Sequence, residues 1–232
     1  MRPILALTDT LISTVAGGSP PVRALTLAYA KLAIRALGTT DDELIGVWID
    51  AAASYFEQQT GRQLLTATRE VWLDAFPVVG SPWYEQRIEL PRPPLQSVVS
   101  ITYLDGSGVL RSFTDGASPA TNLYTVSKPV GPYAARGFVE PIAGKTWPIA
   151  GTVTGAVRIR YTCGYGNTAA DIPPLARGVL SSLVGHFDTY RTPVAVGSVI
   201  DLPYGLQSIL DMFLWSALPS QTLRGPAVWP LP

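Results

Sequence analysis

Apolar positions change their period twice along the chain. Leu27, Ala30, Ile34 and Leu37 recur at helical spacing, with Thr26 placed to cap the helix and Gly38 to stop it. A second stripe, Leu44, Ile45, Trp48, Ile49, Ala52, Tyr55 and Phe56, runs to Gly61 and opens on Thr40 and Glu43, spaced as a capping box. Between Thr66 and Thr162 the period falls to two, in Val71/Leu73, Ile88/Leu90, Leu95/Val99/Ile101/Tyr103 and Val157/Ile159/Tyr161, as in half-buried strands. Asp105 to Gly108 separates two apolar runs as a hairpin turn does, and Pro91, Pro93 and Pro94 end one strand before the next. After Asp171 the helical period returns. Leu175, Val179, Leu180, Leu183, Val184, Phe187 and Tyr190 share one side of a helix entered through Pro173 and Pro174. A last helix begins near Tyr204, carries Leu206, Ile209, Leu210, Phe213 and Leu214, and is ended by Pro219.

This order predicts an α+β chain, a helical bundle from N- and C-terminal helices with a central antiparallel β-sandwich or small barrel region. The divisions are an N-terminal extension (1–20), a first helical part (21–65), a β-rich region (66–165), a second helical part packing on the first (166–218) and an extended tail (219–232). The tail has four prolines and no helical period, so it is expected to run extended.

Composition narrows the function more than the fold. The 232 residues are 47% apolar, enough to bury a core, and 17 basic residues balance 17 acidic ones. No bulk charge draws such a chain to nucleic acid or anionic lipid, so any DNA contact is local. Fourteen of the cations are Arg and only Lys31, Lys128 and Lys145 are Lys; this suits bidentate interface pairing, although coding bias gives the same composition. Cys163 is the one cysteine, which excludes an internal disulfide and fits a reducing compartment. Asp9 interrupts the first apolar run before a secretion signal forms, and no apolar stretch approaches the roughly 20 residues that cross a bilayer.

Candidate chemistry is sparse. His186 is the only histidine and has no ligands spaced around it for a metal, so a structural place on its helix is expected. Cys163 lies in the turn Cys163-Gly164-Tyr165-Gly166 without a partner signature for nucleophilic catalysis. Asp41, Asp42 and Glu43 could gather a hard cation, but a first helical turn explains them through the helix dipole. Gly106-Ser107-Gly108 lacks the spacing that cradles phosphate. Trp72, Trp83, Tyr84, Tyr133, Trp147, Trp215 and Trp229 could stack sugars or anchor protein interfaces. Arg158 and Arg160 alternate with Val157, Ile159 and Tyr161, so both leave a strand on the face away from the core; they either pair with acids across strands or form an exposed basic patch. In the tail, Leu223, Val228 and Trp229 supply apolar anchors and Arg224 a bidentate donor for a partner's groove.

Several stretches carry a resemblance in the same order. Thr26-Leu27-Ala28, Ala30-Lys31 and Arg35, Asp41 to Ile45, Ala51-Ala52 and Thr60-Gly61-Arg62 resemble the N-terminal helices of tailed-phage head-to-tail connector (adaptor) proteins. Leu90 to Leu95, Val98 to Gly106, Trp147-Pro148, Val157 to Gly166 and Ile172-Pro173-Pro174 resemble the strand region and third-helix entry of the longer members with a β-rich insert. Leu202-Pro203-Tyr204-Gly205 resembles the start of their last helix. The match covers about 190 residues, Leu25 to Ala217; the first 20 or so residues and the tail depart from it, and Tyr29 stands where an acidic residue is commoner. The resemblance implies a structural adaptor without catalytic residues or cofactor, forming a ring of twelve copies under the portal. That ring would meet a stopper or tail-completion protein, contact DNA transiently and without sequence preference in its channel, and involve no membrane. It would sit in the virion neck, having been made in the host bacterial cytoplasm. On this reading the tail residues meet the portal, and Arg158 and Arg160 face the channel or a neighbouring subunit. A carbohydrate-binding or host-recognition module using the loop tryptophans is the alternative, and an enzyme would need an acid–base pair built from scattered carboxylates.

Overall fold

The computed structural model describes residues 8–14, 22–77, 86–113, 124–189 and 204–214. Four helices, α1 (Leu27–Ile34), α2 (Asp42–Thr60), α3 (Pro174–Thr189) and α4 (Tyr204–Phe213), share one apolar core. Ile45, Ile49, Ala52 and Phe56 of α2 meet Val179, Leu180 and Leu183 of α3, and the Phe56 and Phe213 rings cross edge to face at 5.3 Å.

The strands are β1 (Thr8–Thr14), β2 (Ala67–Leu73), β3 (Ile88–Glu89), β4 (Leu95–Leu104), β5 (Leu110–Phe113), β6 (Tyr124–Ser127), β7 (Phe138–Pro141) and β8 (Val157–Cys163). They make two antiparallel sheets, in the orders β1-β2-β8-β4-β5 and β3-β7-β6. Val71, Ile101 and Ile159 from the larger sheet and Ile88, Tyr124 and Val139 from the smaller belong to a second core, in which Trp147 stacks on Phe76 at 4.9 Å. The architecture is α+β. Among the described residues neither sheet closes on itself, so a small barrel is not what forms.

Local readings are corrected in several places, and Leu44 and Leu214, expected on apolar stripes, are exposed. Helix α1 stops at Ile34 because Arg35 turns left-handed (φ 57) and its N–H reaches back to Leu32, which leaves Leu37 fully exposed instead of on the stripe. The capping box of Thr40 and Glu43 does not form; Asp41 holds the N-cap position, and its side chain makes no capping bond to the first turn. Asp42 of the first turn instead meets Lys31 of α1 at 2.6 Å, which ties the two helices. Val99 is exposed and Val98 buried, since irregularities between Leu95 and Ser97 and between Val98 and Ser100 shift the alternation of β4. Thr8–Thr14, read as part of an extension, is an edge strand along β2. Tyr190 and Pro219 lie outside the described residues.

Two polar clusters join helices to strands. At the end of α2, Gly61 takes the left-handed cap (φ 66) and delivers Arg62 into the protein, where it is 2% exposed. Its Nε donates to the Phe213 carbonyl at 2.7 Å and its Nη1 to the Ala134 carbonyl at 2.9 Å. Beside it, Glu57 accepts from the Leu64 N–H and from Gln63, Gln63 accepts from Arg69, and Arg69 donates to Asp9 at 2.9 Å. Burial pushes the Glu57 carboxyl up, and the Leu64 N–H, Arg69 and Arg92 draw it partly back.

Arg62→Lys is therefore expected to destabilise the protein by about 3 kcal/mol, because the ammonium is a single nitrogen and lacks the separated Nε and Nη1 donors that meet the two carbonyls. Urea melts measure the loss, and hydrogen exchange should show α4 opening first. An unchanged melt would mean that the two carbonyls find other donors.

Candidate functional site

The outer face of the five-stranded sheet is the surface that the Arg158 and Arg160 alternation singles out. Strand β8 is central in that sheet, between β2 and β4, so its outward side chains are flanked on both sides. Arg158 stands opposite Trp72 on β2 and Thr102 on β4, and Arg160 opposite Glu70 and Ser100. The Arg158 guanidinium lies over the Trp72 ring, 4.0 Å from its centroid, and is exposed. Arg160 donates through Nε (3.2 Å) and Nη2 (3.0 Å) to the same Glu70 oxygen. Cross-strand pairing thus accounts for Arg160, whereas Arg158 rests on an aromatic plane.

Trp72 lies flat because the residue beside it has no side chain. A Cβ on Gly155 would stand 2.8 Å from Trp72 Cε3, and the Gly155 backbone is left-handed (φ 67). Asp74 accepts from the Gly155 N–H at 2.8 Å and pins that turn. The alternation of Arg158 and Arg160 was visible in the sequence; Trp72, Gly155 and Asp74 as their support were not, because they meet only through the register of β2 on β8. The face presents two guanidinium groups against one carboxylate, with Thr102 and Ser100 alongside. Such a surface can hold an anionic or polar partner by charge and flat stacking; it contains no nucleophile and base in contact.

The other candidates separate by burial. Cys163 is buried, its Sγ 3.8 Å from the Ala67 carbonyl, and burial pushes its thiol up to about 12. The neighbouring Tyr161 phenol is also raised, first by burial; its hydroxyl donates to the Pro91 carbonyl at 3.1 Å. His186 sits half-buried on α3 with its ring 6.2 Å from that of Phe187. Asp42 and Glu43 lie in the first turn of α2, and Asp42 is bound to Lys31. Among the described residues no three His, Cys, Asp or Glu side chains gather as metal ligands. Trp147 is buried and donates its Nε1–H to the Gln86 carbonyl at 2.7 Å, so its ring is not open to a sugar, and Trp72 lies on a strand rather than in a loop. Trp83, Tyr84, Trp215 and the tail residues Leu223, Arg224, Val228 and Trp229 lie outside the described residues. The structure does not bring them to the Arg158 face or away from it.

Cys163 should react with an aromatic disulfide reagent at pH 8 only as fast as the protein unfolds, because the native thiol is protonated and covered. Labelling of the native protein within seconds, with no dependence on urea, would contradict this environment.

No family model matches the chain, and no curated protein does. Solved structures do. The chain is similar to a chain in the neck of an empty gene transfer agent (GTA) particle computed with C6 symmetry, at 19% identity and a TM-score of 0.66, over 89% of this chain and 95% of that one. It is similar at 19% identity and a TM-score of 0.65 to a chain of the virion of a native GTA particle, again over 89% and 95%. A chain from the neck of a native GTA particle computed with C12 symmetry gives 18% identity and a TM-score of 0.60, over 88% and 94%. At this level of identity the likeness is one of fold, and it extends through both the helical and the stranded parts.

Proposed function

We propose that this protein is a non-enzymatic structural subunit of the neck of a tailed phage or phage-like particle. It forms a ring under the portal and joins the capsid to stopper or tail-completion components. The observation that carries this reading is the fold likeness to neck chains over nearly the whole length. The order of short stretches from Leu25 to Ala217 supports it independently. A ring built on that plan encloses a channel, and with zero net charge on the subunit its contact with DNA is local and insensitive to sequence. The subunit is made in the host cytoplasm and ends in the virion neck.

Within that ring, Arg158 and Arg160 face the channel or the adjoining subunit. Their exposed face is rigid, since β8 is held from both sides, and the Trp72 ring keeps the Arg158 guanidinium flat against the sheet. Leu223, Arg224, Val228 and Trp229 dock on the portal, where proline-rich extended chain loses little entropy on binding and Trp229 supplies the anchor.

Electron microscopy of the full chain mixed with its portal is expected to show a ring of twelve subunits on the portal's tailward side; particles without added density would refute the reading. Arg158→Ala with Arg160→Ala should keep the melt within about 1 kcal/mol, as for half-exposed pairs, while weakening ring formation or DNA retention. Unfolding of the double variant would make the pair an internal structural network instead. Deleting residues 219–232 should weaken portal binding at least about tenfold, or about 1.4 kcal/mol, with the melt almost unchanged.

A further inference from the structure

A second surface is apolar, concave and unrelated to the arginine face. A groove of about 660 Å³ opens between the loop after β6 and the entry to α3, lined by Val130, Pro132, Tyr165, Pro173 and Pro174. Its walls are held in place. The Tyr165 hydroxyl donates to the Pro132 carbonyl at 2.6 Å, and two residues on Arg62 grips the Ala134 carbonyl. Yet the loop presents Val130 at 88% exposed and Tyr133 at 46%, apolar surface on a fixed backbone.

The end of α4 lies at one wall of this groove. The Phe213 ring packs at 5.1 Å, tilted by 44°, on that of Tyr133, the residue after Pro132, and Arg62 bridges the Phe213 and Ala134 carbonyls. Residues 215–232 continue from that point. Their stretch Pro226-Ala227-Val228-Trp229-Pro230-Leu231-Pro232 has three prolines and three large apolar side chains, the composition of an extended helix of the polyproline type. At about 3.1 Å per residue the 18 residues reach some 55 Å when fully extended. Arg224 is the single charged side chain in 215–232; the groove's lining carries one cation, Lys128, and one carboxylate, Asp171, which the Thr168 hydroxyl and N–H hold low and which is the acid that Arg224 can meet there.

We propose that this groove is the seat of the chain's own C-terminal segment, with Trp229 and its flanking prolines against Tyr165, Pro173, Pro174 and Val130. Extended proline-rich chain docks on aromatic- and proline-lined surfaces because little conformational entropy is left to lose. Tethering to α4 raises the effective concentration to the millimolar range, so even a weak groove is filled. Portal docking by the same segment then requires its release, which makes seating and docking mutually exclusive.

Disulfide trapping in the full chain tests this without any partner present. Val130→Cys, at an exposed position, with Val228→Cys adds two thiols to a protein whose only other thiol, Cys163, is buried. Under mild oxidation at low micromolar concentration an intramolecular disulfide should form, the product running as a monomer. Adding Trp229→Ala and Leu231→Ala leaves the tether unchanged and should slow closure at least about tenfold, equivalent to about 1.4 kcal/mol. Equal closure rates with and without Trp229 and Leu231 would overturn the proposal, since mere proximity would then explain the bond. A disulfide-linked dimer as the main product would overturn it too, placing the segment on a second copy. Portal binding enters neither measurement, so a failure here and a failure of tail deletion to weaken portal binding are read separately.

Discussion

Arg62 is nearly excluded from water and is held by carbonyls; among the described residues it forms no ion pair with a carboxylate. A buried guanidinium is costly unless its donors are satisfied, and the arrangement meets that cost with oriented dipoles. One partner is the carbonyl that ends α4, where the helix dipole is negative, and another is the Ala134 carbonyl of the loop after β6. The Tyr165 hydroxyl, itself bonded to Pro132, is also in hydrogen-bonding contact with it. Three parts distant in sequence, the end of α2, the last described helix and the β6–β7 loop of the smaller sheet, are therefore fixed by one side chain. The Phe56–Phe213 and Tyr133–Phe213 ring contacts lie around the same point, so the apolar packing and the polar bridge support one another.

The second polar cluster does the corresponding work for the large sheet. Asp9 on β1 reaches Arg69 on β2, Arg69 reaches Gln63, and Gln63 reaches Glu57 on α2. Arg92 adds a bond to the Glu57 carbonyl and lies 3.5 Å from Asp9. Because these groups are buried or half-buried, each must be paired, and the pairing fixes the register of β1 as well as the seat of the sheet on the helices. The two faces of the sheet are thereby assigned. One is committed to Val71, Ile101, Ile159 and their neighbours, and the other is left to Trp72, Arg158, Arg160 and Glu70.

The proposed role in a neck asks for stiff surfaces rather than mobile ones. The protein's reactive groups, Cys163 and Tyr161, are buried and held protonated, and its exposed charges are arranged as pairs and stacks on a stiff support. Rigid faces lose little freedom on association, which favours assembly into defined contacts. The apolar groove beside Tyr165 and the arginine face present different chemistry, one lined by proline and tyrosine and the other by guanidinium groups.

Sequence alone determined the α+β order and the inner stripes of α2 and α3, because helical and strand periods follow directly from which faces are buried. Ile45, Ile49, Ala52, Phe56, Val179 and Leu183 are all where those periods place them. The outward direction of Arg158 and Arg160 was legible for the same reason, two-residue alternation on an unbroken strand. Where a ladder is irregular the rule fails, as Val98 and Val99 show: the first irregularity of β4 turns Val98 inward and the second restores the alternation by Ile101. Edge strand β1 left little trace, because its place depends on Asp9 meeting Arg69 from 60 residues away. Tertiary structure alone decided that Trp147 is core, that Trp72 carries Arg158, and that Arg62 is the joint. Each of these roles is set by partners brought together through folding, whereas the periodic positions are set by solvent acting on one helix or strand at a time.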